Sequence, residues 1–379
     1  MGKDVNKRKS MRHAKVITEL CISAVIIGCA GYAVNSMIKK SHKIGQSDVV
    51  ESSVVDIDIT EPTTEPEDPN KIIFESLSVE TKSKFKGDLI LVNNNNEYFS
   101  GHEELVTINE MNSQQDSPTY VVGNDNDMKI INVVYQPLIS MMRDFNAATG
   151  YDDIVVIGGF RTAERQKELY DEDLEQTGSD HSERVALPGH SEHESGYAMD
   201  FTTSTTWDYD GTGKYDWINQ NCWKYGFILR YPEDKTSITQ IQYEPWHYRY
   251  VGVPHAYYMY KNGLCLEEYI DLVRTHTYEG EHLKFTDDNG NEYEVYFSPS
   301  DDGAETTFVP VPSSLKYDIS GNNSDGFIVT VYVNESADNS AQQPTEAPSG
   351  DTGSTEEASA ESTEETTEAP TEDSSEASE

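Results

Sequence analysis

The chain has 379 residues, room for two domains or for one with extensions at ~150 residues per domain. With 28 Lys and Arg against 68 Asp and Glu its net charge is −40, which excludes a nucleic-acid binder, since that needs a basic patch. Apolar residues make up only 36 %, so part of the chain is not packed, and four cysteines exclude a disulfide-rich scaffold.

The charge is unevenly placed. Residues 1–43 hold nine Lys or Arg and two acids, residues 44–70 eight acids and no base, and residues 335–379 fourteen acids and no base. A basic segment at 1–19 precedes the apolar run LCISAVIIGCAGYAVNSMI at 20–38. That length matches the ~20 residues of a membrane-crossing helix. More bases lie before it than after it, so the positive-inside rule keeps 1–19 in the cytoplasm and exports the rest. The expectation is a single-pass anchor in the cell membrane with the folded part outside the cell. A cleaved signal peptide, or a lipoprotein site at Cys29, are the alternatives. The Pro/Thr-rich acidic stretch 39–70 reads as an extracellular linker, and 335–379 as a disordered acidic tail.

The folded part is expected between 71 and 334. Residues 88–92 (DLILV) read as a short buried strand. Apolar positions at Ile130, Ile131, Val134, Leu138, Met141, Met142 and Phe145 predict a helix over 129–149, with Asp127 as N-cap and Gly150 as stop. Strands are expected at 153–158, 197–203, 226–231 and 240–250. Helices are expected at 162–175, capped by Thr162, at 214–225, and near 254–262 and 266–274. Strands and helices do not alternate as βαβ units, so the class is α+β. After Glu279 the pattern turns to β: an Asn289-Gly290 hairpin, then ETTFVPVP and GFIVTVYV. This appendage, 280–334, is small for a free domain and is expected to pack on the core. Cys222 and Cys265 could pair outside the cell, or Cys222 could simply be core.

Three stretches carry the chemistry: Gly158-Gly159-Phe160-Arg161-Thr162, the loop from Pro188 to Asp200, and Tyr243 to Tyr250. Catalytic zinc takes three protein ligands and leaves a fourth position for water, and imidazole and carboxylate both suit it. His193 and Asp200 lie seven residues apart, and His247 comes from a distant segment. Glu244 precedes His247 by three, with Pro245 barring a regular helix, so a turn can aim both side chains at one water. Read residue by residue, each has a plain alternative: a structural histidine, a turn aspartate, a solvated glutamate. His-Glu-x-x-His is absent. His181 and His190 could mimic ligands by proximity.

The pattern Ser191-x-His193-x-x-Gly196-x-Ala198-x-Asp200, followed by Glu244-x-Trp246-His247, resembles the signature of the VanY-type D-alanyl-D-alanine carboxypeptidases. It is similar as well to their L,D-carboxypeptidase and endolysin relatives. Gly159-Phe160-Arg161-Thr162 and Gln166 fit the same family, and the resemblance spans about residues 75–275. It implies one Zn²⁺ on His193, Asp200 and His247, Glu244 as general base, Arg161 as substrate or oxyanion contact, and Ser191 near the substrate carboxylate. It implies a compact α+β zinc D,D-peptidase-like domain over 71–279, with a small antiparallel sheet and flanking helices. The expected activity is removal of the last D-alanine from peptidoglycan stem peptides. L,D-carboxypeptidase or endopeptidase action, and a non-catalytic wall-binding surface protein, are the rival readings.

Overall fold

The computed structural model describes residues 71–337, apart from 100, 102, 103, 117 and 183. The expected anchor at 20–38, its flanks at 1–19 and 39–70, and the tail beyond Ala337 lie outside the described residues. The described residues all fall in one compact unit.

In chain order the unit opens with β1 (Phe74–Glu80), β2 (Leu105–Thr107) and the short α1 (Ile108–Ser113). β3 (Val122–Gly123), β4 (Lys129–Ile131) and α2 (Asn132–Thr149) follow. The helix expected from 129 therefore starts three residues later, and Ile131, not Asp127, is its N-cap. Ile130 and Ile131 are spent on a ladder with Val106 and Leu105 of β2. From there α2 buries Val134, Tyr135, Leu138, Met141, Met142 and Phe145 along one face, tolerates Pro137, and stops at Gly150 with φ +77°. Each such apolar side chain, fully buried, is worth about 1.5–3 kcal/mol.

The next elements are β5 (Ile154–Gly158), α3 (Ala163–Thr177), β6 (Ala198–Thr203), α4 (Asp216–Asn221), β7 (Phe227–Leu229), α5 (Thr236–Thr239) and β8 (His247–Tyr250). α3 is capped as expected, with the Thr162 side chain accepting from the Arg165 N–H. The helix expected at 214–225 is broken into two 3₁₀ turns around α4. The strand expected from 240 begins only at His247, because Gln240 has φ +61° and Pro245 lies in a turn. The strands β3-β5-β6-β8-β7 form one sheet, antiparallel except for the β3–β5 pair. α2 packs under it against Ile154, Val156, Met199, Phe201, Phe227 and Tyr248.

Residues 89–92 are buried, but the stretch 88–92 forms no strand. Side chains serve part of their backbone instead: Arg249 donates to the carbonyls of Asp88 and Ile90, Ser320 accepts from Leu89 N–H, and Asn323 donates to Leu91.

Helices α6 (Val253–Asn262) and α7 (Leu266–Thr275) lead into β9 (Leu283–Thr286), β10 (Glu292–Pro299), β11 (Thr306–Pro312), β12 (Leu315–Gly321) and β13 (Gly326–Ser336). The sheet β12-β13-β10-β9 is antiparallel, and its central strands β10 and β13 are buried on both faces. One face sends Val295, Phe297 and Ile328 against α6 and α7, which is how the appendage packs on the core. The other sends Tyr296, Phe327, Val329 and Val331 against β11, which pairs with β1 across the whole of both strands. The first of the described strands thus belongs to the appendage. β13 runs to Ser336, two residues into the stretch expected to be tail. Cys222 and Cys265 are both free and buried.

Candidate active site

Strand register brings the site together. Asp200 on β6 lies opposite Gly158 on one side and His247 on the other. His193 sits in a 3₁₀ turn, Glu192–Ser195, just before β6. That turn ends at Gly196 with φ +75°, a conformation other residues rarely adopt. Glu244 stands in the turn before β8, where its carbonyl accepts from the His247 N–H at 3.2 Å.

Asp200 presents one oxygen to each imidazole: Oδ2 is 3.2 Å from His193 Nε2, and Oδ1 is 3.0 Å from His247 Nδ1. Among the described residues these three alone bring ligand atoms together in a set able to hold a metal, all within 4.8 Å of one another. Asp200 Oδ1 is buried without a hydrogen-bond partner. A neutral imidazole nitrogen and a carboxylate oxygen facing each other are both acceptors, so their approach calls for a cation. Two nitrogens and one oxygen match catalytic zinc, and the set leaves a coordination position open.

The acids around the cluster demand positive charge there, which the ring proton of His247 supplies when no cation is bound. Burial opposes a charge on His247, but Asp200 and Glu192 outweigh it and raise the imidazole to about 9. Burial pushes the Glu244 carboxyl up to about 7, in spite of His247 beside it. Glu244 Oε2 is 3.5 Å from His247 Nδ1, so the acid faces the metal side of that ring. Asp200 is held far below the carboxylate range by both histidines, against the cost of burial.

Arg161 follows β5. Its N–H donates to the His193 carbonyl at 3.1 Å, and its Nη1 donates to Gln166 Oε1 at 2.8 Å. Gln166 in turn donates to the Ala186 carbonyl at 2.7 Å, fixing the guanidinium between α3 and the loop after it. Arg161, Ser191, His193, Asp200, Glu244 and His247 all line one cleft of about 290 Å³. Leu169, Glu172, Asp173 and Arg184 line it as well, with Arg184 paired to Asp173. His190 bonds to the Asn93 carbonyl and His181 to Asp180, and neither joins the cluster.

One group escaped the sequence reading. Glu192, next to His193, is buried and takes Arg230 Nε at 2.7 Å and Arg249 Nη1 at 2.8 Å, both on Oε1. Arg230 also forks onto both oxygens of Glu267. The available signal was an arginine in each of two strand segments otherwise apolar or aromatic, Phe227–Tyr231 and His247–Val251. Buried arginines need a buried acid.

The family model for VanY, D-alanyl-D-alanine carboxypeptidase, matches residues 129–253. A D-alanyl-D-alanine carboxypeptidase of Enterococcus faecium is 37 % identical over 259 residues, covering 68 % of this chain and 78 % of that protein. The bifunctional D-Ala-D-Ala dipeptidase and D-Ala-D-Ala carboxypeptidase VanXYC of Enterococcus gallinarum is 42 % identical over 135 residues, 33 % of this chain and 71 % of that one. Among solved structures, the vancomycin-resistance D,D-dipeptidase VanXYg in complex with a D-Ala-D-Ala phosphinate analogue superposes with a TM-score of 0.60 at 31 % identity, covering 69 % of this chain and 99 % of that chain. With the Enterococcus faecium relative matched over most of its length, the chain belongs to the VanY family of D-alanyl-D-alanine carboxypeptidases.

Proposed function

We propose that this protein removes the C-terminal D-alanine of peptidoglycan stem peptides by zinc-dependent hydrolysis, at the outer face of the cell membrane. The observation that carries the reading is the meeting of His193, Asp200 and His247 with Glu244 and Arg161 in one cleft. His193 Nε2, Asp200 and His247 Nδ1 would hold the zinc. Bound there, it supplies Lewis-acid polarisation of the scissile carbonyl and lowers the pKa of the attacking water from ~15.7 toward ~7.

Glu244 takes the proton of the attacking water as the new C–O bond forms, and returns it to the leaving amine as the C–N bond breaks. A carboxyl raised by burial to about 7 is poised for both transfers. Arg161, held by Gln166, presents a fixed fork to the substrate's terminal carboxylate or to the developing oxyanion. Ser191 lies on the same wall and helps hold that carboxylate.

Placement at the membrane rests on the apolar run 20–38 and its basic flank. Among the described residues no helix is long and apolar enough to cross a membrane.

The deciding experiment offers pentapeptide, tetrapeptide and cross-linked substrates and measures free D-alanine. Release from the pentapeptide is expected. Release only from the tetrapeptide, or cleavage only of the cross-link, would move the activity to L,D-carboxypeptidase or endopeptidase. No release from any of them would remove the carboxypeptidase reading. Protease accessibility of the catalytic domain in intact cells tests its placement outside.

A further inference from the structure

His247 turns its Nδ1 toward Asp200 and Glu244, and so its Nε2 away from the metal cluster. If Nδ1 gives its lone pair to a metal, Nε2 must carry the ring proton. That N–H points into a fully buried region, where a donor without an acceptor is costly. Facing it at 3.5 Å is Oε2 of Glu192. Neither His247 Nε2 nor Glu192 Oε2 makes a hydrogen bond, although both are buried, so each is an unpaired polar atom facing the other.

Glu192 is itself locked. Its other oxygen, Oε1, receives both Arg230 and Arg249, and the Glu192 and Arg side chains have no exposed surface. Arg230 is anchored by its fork onto Glu267, and Arg249 by the carbonyls of Asp88, Ile90 and Tyr250. The two arginines take one oxygen and leave the other for the imidazole. Such a charge arrangement keeps Glu192 anionic beside the ring, and an anionic acceptor fixes the tautomer and raises the donor strength of the opposite nitrogen. His193 has a weaker counterpart: its Nδ1 is 2.9 Å from the carbonyl of Gly159, a neutral acceptor.

We propose that Glu192 is a positioning residue of the zinc site: held by Arg230 and Arg249, it accepts the Nε2–H of His247 and so fixes that imidazole with Nδ1 toward the metal. The proposal rests on the metal-site reading above. It makes the two histidine ligands unequal, one backed by a carboxylate and the other by a peptide carbonyl.

The test is proton NMR of the full-length chain with cobalt(II) in place of zinc. A ligating imidazole that keeps a ring N–H gives a strongly shifted, solvent-exchangeable resonance. Two are expected, one from each histidine. In Glu192→Gln the His247 resonance should move and exchange at least tenfold faster, while the His193 resonance stays. Zinc affinity, from competition with a chelator, should fall about ten- to a hundredfold. Glu192→Asp keeps the charge on a shorter arm. It should restore part of the affinity, and it decides the matter by the same His247 shift if the glutamine variant does not fold. Both resonances moving together, or neither moving, would overturn the role of Glu192 and leave the metal site standing. In the unmutated chain a single shifted exchangeable resonance does the same. No shifted resonance at all would remove the metal site, and this proposal with it.

Discussion

Gly158 and Asp200 lie side by side on β5 and β6, so close that a Cβ on Gly158 would sit 2.5 Å from Asp200 Oδ2. The easiest relief is rotation of the Asp200 side chain, which carries the oxygen facing His193. Gly158→Ala is therefore expected to damage the ligand set more than the fold. Zinc affinity should drop at least tenfold with little change in melting temperature. Zinc retained at wild-type affinity after the substitution would show that Asp200 does not depend on this contact.

Glu244→Gln keeps the size of the side chain and removes its ability to accept a proton. Zinc content should remain near one per chain, and kcat should fall about 10²–10⁴-fold. Turnover close to wild type would take the general-base role away from Glu244.

Arg161→Lys exchanges a planar fork for a point charge. If the fork grips the terminal carboxylate, the change costs about 1.5–3 kcal/mol in kcat/KM. Amidating the substrate's C-terminus should cost the wild type a similar amount and the variant much less. Additive losses would mean that Arg161 serves the oxyanion alone.

Asp153, at the start of β5, offers a test of stability away from the metal. Burial raises its pKa, but hydrogen bonds from Lys214 at 3.1 Å and Tyr215 at 2.9 Å outweigh that and leave it below the ordinary value. A carboxyl depressed in the folded state stabilises above its unfolded pKa of ~3.9, and the contribution is lost as pH falls through the folded value. The gap in unfolding free energy between wild type and Asp153→Asn should be constant above about pH 5 and shrink below ~4. Urea melts from pH 3 to 7 would show it; a gap independent of pH would mean the carboxylate charge contributes nothing.

Residues 71–337 alone should fold and hydrolyse, since they keep β1. Starting at Lys82 instead deletes β1, uncovers β11 and opens the cluster around Val309 and Val311. A loss of about 3 kcal/mol or more is expected, from the apolar contacts of Phe74, Leu77 and Val79. Equal melting temperatures for the two pieces would show that β1 is dispensable.

That Arg161, Ser191, His193, Asp200, Glu244 and His247 share one cleft was legible through their motifs, and the register of β5, β6 and β8 is what brings those motifs together. Helix α3 was legible because Thr162 marks its start locally, while its end, expected at 175, falls at Thr177 before Gly178. What the sequence hid depends on distant partners. Residues 88–92 look like a strand, yet part of their backbone is satisfied by side chains of Arg249, Ser320 and Asn323. Ile130 and Ile131 fit the period of α2, and only the pairing with β2 takes them from it. β12 alternates Leu315, Tyr317 and Ile319 with Lys316, Asp318 and Ser320, a half-buried strand pattern that the sequence reading passed over. Glu192 lay in an unconstrained position of the His193 motif, and nothing local ties it to Arg230 and Arg249.

The pairing of β1 with β11 also sets a schedule. Phe74 meets Pro312, more than two hundred residues later in the chain. At ~5–20 residues per second of synthesis, β1 waits roughly 10–50 s for its partner. Through that interval it is a bare strand, open to pairing with any other chain. Its composition suits the wait: Glu75, Ser76, Ser78 and Glu80 alternate with or flank Phe74, Leu77 and Val79, so the unpaired strand carries two negative charges and no run of apolar residues. Closure then waits until the final third of the chain supplies β11 and the sheet behind it, so β1, made first among the described strands, is among the last to be secured.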